Sequence, residues 1–243
     1  CNDIDLGNEN WMPIGQYARN AYKGTFDGQY HEIKNLKITG SVSTHYGLFG
    51  VVGTGTVKNL TVSGEVSVPS GSDTYGIAAI VGCMNDGSAG TVENCINKAN
   101  VSGGKNVAGI VGYISSGYSS NKKVVQNCAN YGSISSTSNN AAGIAANVSG
   151  AVTIQDCYNR GTITGGGWRS GGITAYLNSS YATIKNCYTT GTVSGSDSNP
   201  VVGKKDRGTI KDCYYLDTLG TDSNAESKTS DALKALAATL GEP

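Results

Sequence analysis

A short motif recurs seven times along this chain at an uneven period. It consists of an aliphatic residue, any residue, Asn or Asp, and then Leu or Cys. The final residues of successive copies lie 24, 35, 33, 29, 30 and 26 positions apart. Periods of this size with variable insertions are typical of a stacked repeat array. The copies are Ile33–Leu36, Val57–Leu60, Val92–Cys95, Val125–Cys128, Ile154–Cys157, Ile184–Cys187 and Ile210–Cys213.

The residues between the copies indicate short strands joined by turns. Val, Ile, Thr and Tyr are frequent, 35 glycines are present, and only four prolines occur. Equivalent strands without a connecting helix can stack as the coils of a parallel solenoid, at roughly 4.8 Å per coil. We therefore predict an all-β fold, a parallel β-helix or β-solenoid of about six to seven coils, with a short C-terminal helix as a cap.

The spacing within the motif predicts a corner at its Asn or Asp. Side chains alternate between the two faces of a strand, so Val57 and Leu60, three positions apart, cannot both face the core in one straight strand. Asn and Asp tolerate the left-handed backbone conformation and bond their own backbone. We expect this conformation at each copy, with inward-facing sets such as Cys157, Asn159 and Ile163 following the corner.

A second motif, Gly followed by aliphatic residues and usually another Gly, supplies another wall of each coil. Its copies are Tyr46–Gly50, Gly76–Gly82, Ala108–Gly112, Gly143–Ala146, Gly172–Ala175 and Val201–Gly203. Gly-(Leu/Ile)-(Val/Phe)-Gly followed by Thr-Val-x-Asn-Cys-Tyr-x-x-Gly-x-Val resembles the GLUG-motif repeats of bacterial surface proteins, including those of the IgA1-protease family. The resemblance extends from about Trp11 to Leu240. It implies a noncatalytic surface module.

The ends of the chain divide it into two predicted parts. Residues 1–228 form the solenoid, with 1–30 as an N-terminal capping segment similar to the one that opens such arrays. Residues 229–243 form a capping helix and tail, with Ser230 as N-cap, Gly241 at the stop, and an apolar face that we expect to cover the last coil. That face comprises Leu233, Leu236, Ala237 and Leu240. In the family a further segment usually follows, so the resemblance implies a monomeric module of a longer chain.

The cysteines fit the interior of the stack better than a metal site. Five of the seven occupy the motif position that is Leu in the first two copies, which favours buried free thiols. Disulfides between neighbouring coils remain an alternative by distance, although five in a row cannot all pair. No His or Cys pairs occur at zinc-ligand spacing, and His31 and His45 stand alone. We expect neither a metal nor another cofactor.

Charge and hydropathy exclude several classes of partner. Eighteen basic and eighteen acidic residues balance, so the chain lacks the basic footprint of a nucleic-acid-binding protein. The longest apolar run, around Ile77 to Val81, is too short to span a bilayer. We therefore expect neither nucleic-acid binding nor membrane insertion.

Candidate catalytic groups are scarce. Asp156 and Asp212 share the corner position two coils apart, but Asn186 occupies the same position between them, which favours a turn-forming role. Asp3, Asp5 and Asp27 form a second acidic group. Aspartates are common in turns and at strand ends, which explains their presence here without a catalytic role. No Gly-x-Ser-x-Gly elbow or His-Glu-x-x-His signature is present. We predict that the module is not an enzyme.

The outward-facing aromatic residues are the candidate binding groups. The residue after the motif faces outward, and in the last three copies it is Tyr158, Tyr188 and Tyr214. Such a column could stack on sugar rings or anchor a protein, or the rings could simply stabilise one another as a ladder. Trp168 and Arg169, in the glycine-rich segment 165–172, form a second candidate.

Two functions from different classes are consistent with these features. The first is a noncatalytic module of a secreted or cell-wall-anchored bacterial surface protein, acting as a stalk or as an adhesin for a host glycan or a host surface or serum protein. Immunoglobulin is a partner that only the resemblance suggests. The alternative is a carbohydrate-active β-helix enzyme, a polysaccharide lyase or glycoside hydrolase with a divergent site.

Overall fold

The computed structural model describes residues 2–40, 44–69, 76–85, 89–115 and 122–240. All of its strand pairings are parallel, and each strand bonds to the equivalent strand of the next coil. The result is a β-solenoid of about six turns with one short C-terminal helix, which confirms the predicted fold class.

The strands and helices have the following bounds. In chain order the strands are Ile4–Asp5, Thr25–Thr39, His45–Tyr46, Phe49–Val52, Thr56–Ser67, Gly76–Ala78, Val81–Met84, Thr91–Asn97, Asn100–Ala108, Val111–Ile114, Lys123–Gln126, Ala129–Asn130, Ile134–Ala142, Ala145–Val148, Val152–Gln155, Tyr158–Asn159, Ile163–Gly165, Trp168–Gly171, Thr174–Lys185, Tyr188–Thr189, Val193–Ser194, Ser198–Asn199, Val202–Lys211, Tyr214–Leu216 and Glu226–Lys228. The described residues also form two 3₁₀ turns, Ala18–Asn20 and Asp217–Leu219, and the α-helix Ser230–Leu240.

Six of the seven motif copies stack in register. Their aliphatic residues pair from coil to coil, in the order Val57, Val92, Val125, Ile154, Ile184 and Ile210. The first copy does not join this column, because Ile33 pairs with Val62 while Phe26 pairs with Val57. Asp27 pairs with Lys58, one residue before the corner Asn59, and its Oδ1 accepts hydrogen bonds from Gln29 N and Asn59 Nδ2.

The predicted corner conformation is confirmed. All seven Asn or Asp residues of the motif have positive φ, between 49° and 57°. Two of these side chains bond to the corner residue of the preceding coil. Asn94 Nδ2 donates to Asn59 Oδ1 at 2.9 Å, and Asn186 Nδ2 donates to Asp156 Oδ1 at 3.1 Å. The corner residue therefore sets the backbone turn and links adjacent coils.

The thiols line the interior, as predicted. All five motif cysteines are at most 3% exposed and none forms a disulfide. Each Sγ–H points to the carbonyl oxygen two residues earlier, at 3.1 to 3.3 Å. Burial raises the pKa of Cys95 and of Cys157, so these thiols stay protonated at neutral pH.

The glycines of the second motif accommodate a buried amide ladder. Asn97 Nδ2 donates to Asn130 Oδ1 at 2.8 Å, and Asn130 Nδ2 donates to Asn159 Oδ1 at 2.7 Å. A Cβ added at Gly109 would lie 2.3 Å from Asn130 Oδ1, and one at Gly143 would lie 2.5 Å from Asn159 Oδ1. Glycine is required at these bends because the ladder approaches the backbone so closely.

The lower end of the stack is closed by the segment before the helix. Asp222 Oδ2 accepts hydrogen bonds from Val201 N and Val202 N at 2.9 and 3.0 Å, and Leu219 and Ala225 pack against the core. The strand Glu226–Lys228 pairs with Tyr214–Leu216. This segment occupies the place that we expected the helix to take.

The helix itself packs on the last coil, as expected, but on its outer side rather than across its open end. Its Leu233 and Leu236 pack with the outward-facing tyrosines, in an apolar cluster separate from the main core. Thr229 rather than Ser230 caps it, since Thr229 Oγ1 accepts from Ala232 N at 3.3 Å. Gly241 and the side chains of Ala237 and Leu240 lie outside the described residues.

Candidate functional site

The tyrosine column, formed by Tyr158, Tyr188 and Tyr214, stacks as the sequence predicts. Strand pairing places Tyr158 opposite Tyr188 and Tyr188 opposite Tyr214. The rings of Tyr158 and Tyr188 are stacked, with centroids 5.1 Å apart and planes 9° apart. Such cross-strand aromatic pairs stabilise a sheet by up to ~1 kcal/mol each.

The prediction that this column is exposed is wrong. Tyr158 is 3% exposed and Tyr188 7% exposed, while Tyr214 is half-buried. The rings do point away from the core, but Leu233 of the C-terminal helix packs over them. Tyr131 adds an edge-on contact and a hydroxyl hydrogen bond to Tyr158. The two inner rings are therefore a buried structural ladder.

A small cleft remains beside this ladder. It has a volume of about 190 Å³ between the helix and the sheet, and it is lined by Arg160, Tyr188, Thr190, Leu216, Ser230, Leu233 and Lys234. The volume is below the roughly 300–1,000 Å³ of common small-ligand sites. The ammonium of Lys228 lies over the Tyr214 ring at 5.3 Å, so this third ring is also engaged within the protein.

Trp168 and Arg169 lie on an open edge of the solenoid. Trp168 is 61% exposed. Arg169 has φ of 66° and continues a stack of left-handed positions formed by Asn106 and Asn140 in the two coils above. Its guanidinium carbon lies 3.9 Å from the centre of the Tyr176 ring. This distance is well within cation–π range.

Two further residues of this edge were not predicted from the sequence. The Tyr176 hydroxyl donates a 2.5 Å hydrogen bond to Asp206 Oδ2, and Lys204 Nζ lies 3.7 Å from Asp206 Oδ1. The hydrogen bond lowers the pKa of Asp206 and raises that of Tyr176, so the carboxylate and the neutral phenol both persist over a wide pH range. We call Trp168, Arg169, Tyr176, Lys204 and Asp206 the Trp168 site.

A signal for Tyr176 was present in the sequence. It follows the second motif in Ile173-Thr174-Ala175-Tyr176, as Tyr113 does in Ile110-Val111-Gly112-Tyr113. Asp206 lies three residues after the degenerate last copy, Val201–Gly203, and carries no comparable signal. Only the register of the strands Thr174–Lys185 and Val202–Lys211 brings it to Tyr176.

A shallow polar cleft adjoins the Trp168 site. Its volume is about 480 Å³, and it is lined by Ser196, Asp197, Ser198, Asn199, Gly203 and Lys204. Ser196 Oγ donates to Gly167 O at 2.9 Å, which ties the cleft to the backbone next to Trp168. Hydroxyl, amide and charged groups beside an exposed indole form a surface suited to sugars or to a polar protein surface.

The other acidic candidates have structural partners. Asp156 accepts from Asn186, and Asp212 lies 3.6 Å from Lys211 Nζ. Asp3 and Asp5 bind the backbone amides of Glu32 and Gly7. In the part of the chain that the structure describes, no three His, Cys, Asp or Glu side chains are grouped as metal ligands.

The two histidines occupy separate environments. His31 Nδ1 lies 3.6 Å from Asp3 Oδ1, near the start of the chain. His45 Nδ1 lies 3.0 Å from Thr44 Oγ1, and burial lowers the pKa of its imidazole to about 4.

No helix among the described residues is long and apolar enough to cross a membrane.

Comparison with solved structures shows the fold. The chain superposes on the crystal structure of a putative immunoglobulin A1 protease from Bacteroides ovatus with a TM-score of 0.83. The two chains are 23% identical, and the match covers 99% of this chain and 79% of the other. No family model matches the chain.

Two curated relatives match part of the sequence. A putative Gly-rich membrane protein from Evansella cellulosilytica is 32% identical over 92 residues, which are 37% of this chain and 10% of that protein. Halomucin from Haloquadratum walsbyi is 33% identical over 98 residues, which are 40% of this chain and 1% of that protein. The matched region is therefore a tenth or less of either relative.

Proposed function

We propose that this chain is a noncatalytic repeat module of a secreted or cell-wall-anchored bacterial surface protein, and that it binds a host glycan or host protein through the Trp168 site. The observation that carries the proposal is an exposed indole next to a guanidinium that is stacked on Tyr176 and flanked by Asp206. Exposed Trp, Tyr and Arg are the residue types that dominate binding energy at interfaces.

The names of similar proteins support a surface location. The Evansella protein is named as a membrane protein, and the solved structure is named as an immunoglobulin A1 protease. A solenoid with regular coils suits a stalk or an adhesive surface. Immunoglobulin is one partner that the second name suggests for testing.

The proposal can be tested on an array of host glycans and serum proteins that includes immunoglobulin A. We expect Trp168→Ala to weaken binding at least about tenfold, because an indole at an interface contributes on the order of 2 kcal/mol. The matched control is Tyr30→Ala in the first coil, where the ring is 76% exposed. This control should bind as the unmodified chain does.

Two results would contradict the proposal. Binding that Trp168→Ala leaves unchanged would place the contact surface elsewhere on the solenoid. Release of reducing ends from a polysaccharide panel would instead support the alternative of a carbohydrate-active enzyme.

A further inference from the structure

The Trp168 site is the lower end of a regular outer column. Strand pairing places Tyr113 opposite Asn147, Asn147 opposite Tyr176, and Tyr176 opposite Lys204. We call these four residues the outer column. Consecutive members are one coil apart, so the two tyrosines are separated by roughly 9.6 Å, twice the ordinary distance between strands.

Neighbouring side chains hold the column in place. Asn147 Nδ2 donates to Asn106 Oδ1 at 3.3 Å, and Arg169 is stacked on Tyr176. Asn106 in turn accepts from Asn140 Nδ2 at 2.7 Å. Tyr113, Asn147 and Tyr176 nevertheless keep part of their surface open to solvent. Such prior ordering lowers the entropic cost of binding a ligand.

Positive charge is concentrated at the lower end of the column. The whole chain has no net charge. Arg169 and Arg207 nevertheless lie close enough to Tyr176 for their charges to act on the pKa of its hydroxyl. Lys204 is the neighbour of Tyr176 in register. Lys205 is also exposed here. The opposing carboxylates are those of Asp206, which is bonded to Tyr176, and Asp197 in the adjacent cleft. Cations remain in excess, so an anionic ligand is favoured.

We infer that the outer column binds an extended acidic polysaccharide whose chain runs parallel to the solenoid axis. The inference rests on the proposed function and names its ligand class. A sugar face stacks on Tyr113, the Asn147 amide binds a hydroxyl in the middle of the column, and uronate carboxylates meet Arg169 and Lys204 at its Tyr176 end. The separation of the tyrosines is comparable to the length of a disaccharide unit, which favours a polymer that alternates uronate and neutral sugars.

Calorimetry with hyaluronan oligosaccharides, from disaccharide to decasaccharide, tests this inference on the full chain. We expect affinity to increase with length until the ligand spans the column, and to fall as salt is raised. Carboxyl-reduced oligosaccharides of the same lengths should bind at least about tenfold more weakly, since each lost charge pair removes ~1–2 kcal/mol.

Substitutions locate the contact. Arg169→Gln, Lys204→Gln and Tyr113→Ala should each weaken binding of the long oligosaccharides about tenfold. The control is Lys234→Gln on the C-terminal helix. The Lys234 side chain is 75% exposed, and it lines the cleft beside Tyr188, away from the outer column. Tyr113→Phe keeps the ring and should retain most of the affinity. This variant tests the role of the ring in the case that Tyr113→Ala impairs folding.

The outcomes separate this inference from the proposed function. Equal affinity for short and long ligands, or for acidic and carboxyl-reduced ones, would overturn the inference. A neutral glycan or a protein bound in a Trp168-dependent manner would also overturn it, while the proposed function would stand. Absence of any Trp168-dependent binding on the array would overturn both.

Discussion

The tyrosine column and the Trp168 site both present aromatic rings on the outer side of the solenoid, but they differ in what lies above them. Tyr158 and Tyr188 are buried beneath Leu233 of the C-terminal helix, while Trp168 remains 61% exposed. The alternation of side chains along a strand decides which face a residue occupies. Whether that face meets solvent depends on a segment more than forty residues further along the chain.

The two regions also differ in how well the buried polar groups beneath them are hydrogen-bonded. Beneath the tyrosine column, Asn130, Asn159 and Thr189 form a continuous set of buried hydrogen bonds. Beneath the Trp168 site, the buried hydroxyls of Ser170 and Thr174 have no hydrogen-bond partner among the described residues. The first region is therefore organised for stability. The second carries a local cost, as is common near functional sites.

The largest expected contrast comes from placing a charge in each region. Tyr158→Asp should destabilise the fold by at least ~3 kcal/mol, because the carboxylate would be buried without a partner. Trp168→Asp should change the free energy of unfolding by less than about 0.5 kcal/mol, because position 168 is solvent-exposed. Urea denaturation of both variants measures the difference. Equal losses would mean that the helix does not cover the tyrosines.

The next contrast concerns the buried amide ladder. Asn159→Ala should cost about 2–3 kcal/mol, since it removes the acceptor of one Asn130 Nδ2 hydrogen bond and the side-chain donor to the Gly161 carbonyl. Asn178→Ala, on a half-buried side chain, is the control and should have a much smaller effect. Thermal unfolding of both variants would show how much the amide ladder contributes to stability. A negligible effect of Asn159→Ala would contradict a stabilising role for the ladder.

The smallest effect has the opposite sign. Thr174→Val should stabilise the protein by up to ~1 kcal/mol, because it removes an unpaired buried hydroxyl. Ala145 and Val202 occupy the same position in the adjacent coils, so an aliphatic side chain is compatible with the wall. The expected rise in Tm is about 2–4 °C for a chain of this size. A fall in Tm would indicate that the hydroxyl has a partner, such as a buried water.

The sequence was most informative where a residue type repeats from coil to coil. The corner Asn and Asp, the inward thiols and the parallel stacking all follow from motif spacing and side-chain alternation. The first motif copy departs from the predicted register, because Phe26 rather than Ile33 pairs with Val57 of the second copy. A single repeat that departs from the pattern cannot be recognised from spacing alone.

The candidate site was predictable only in part. Trp168 and Arg169 stood out as bulky residues in a glycine-rich segment; Trp168 is exposed and Arg169 stacks on Tyr176, while their binding role stays a prediction. Asp206 reaches Tyr176 through a register that insertions of variable length conceal in the sequence. The burial of Tyr158 and Tyr188 depends on how the C-terminal helix docks, and the pattern of the helix does not specify its partner.

Hydroxyl-radical footprinting with mass spectrometry tests the contrast between the two aromatic regions most directly. It measures the solvent accessibility of each ring in the intact folded chain and requires no ligand. We expect rapid oxidation of Trp168 and strong protection of Tyr158 and Tyr188. Oxidation of Tyr158 and Tyr188 at rates close to that of exposed Tyr30, or protection of Trp168, would contradict the account.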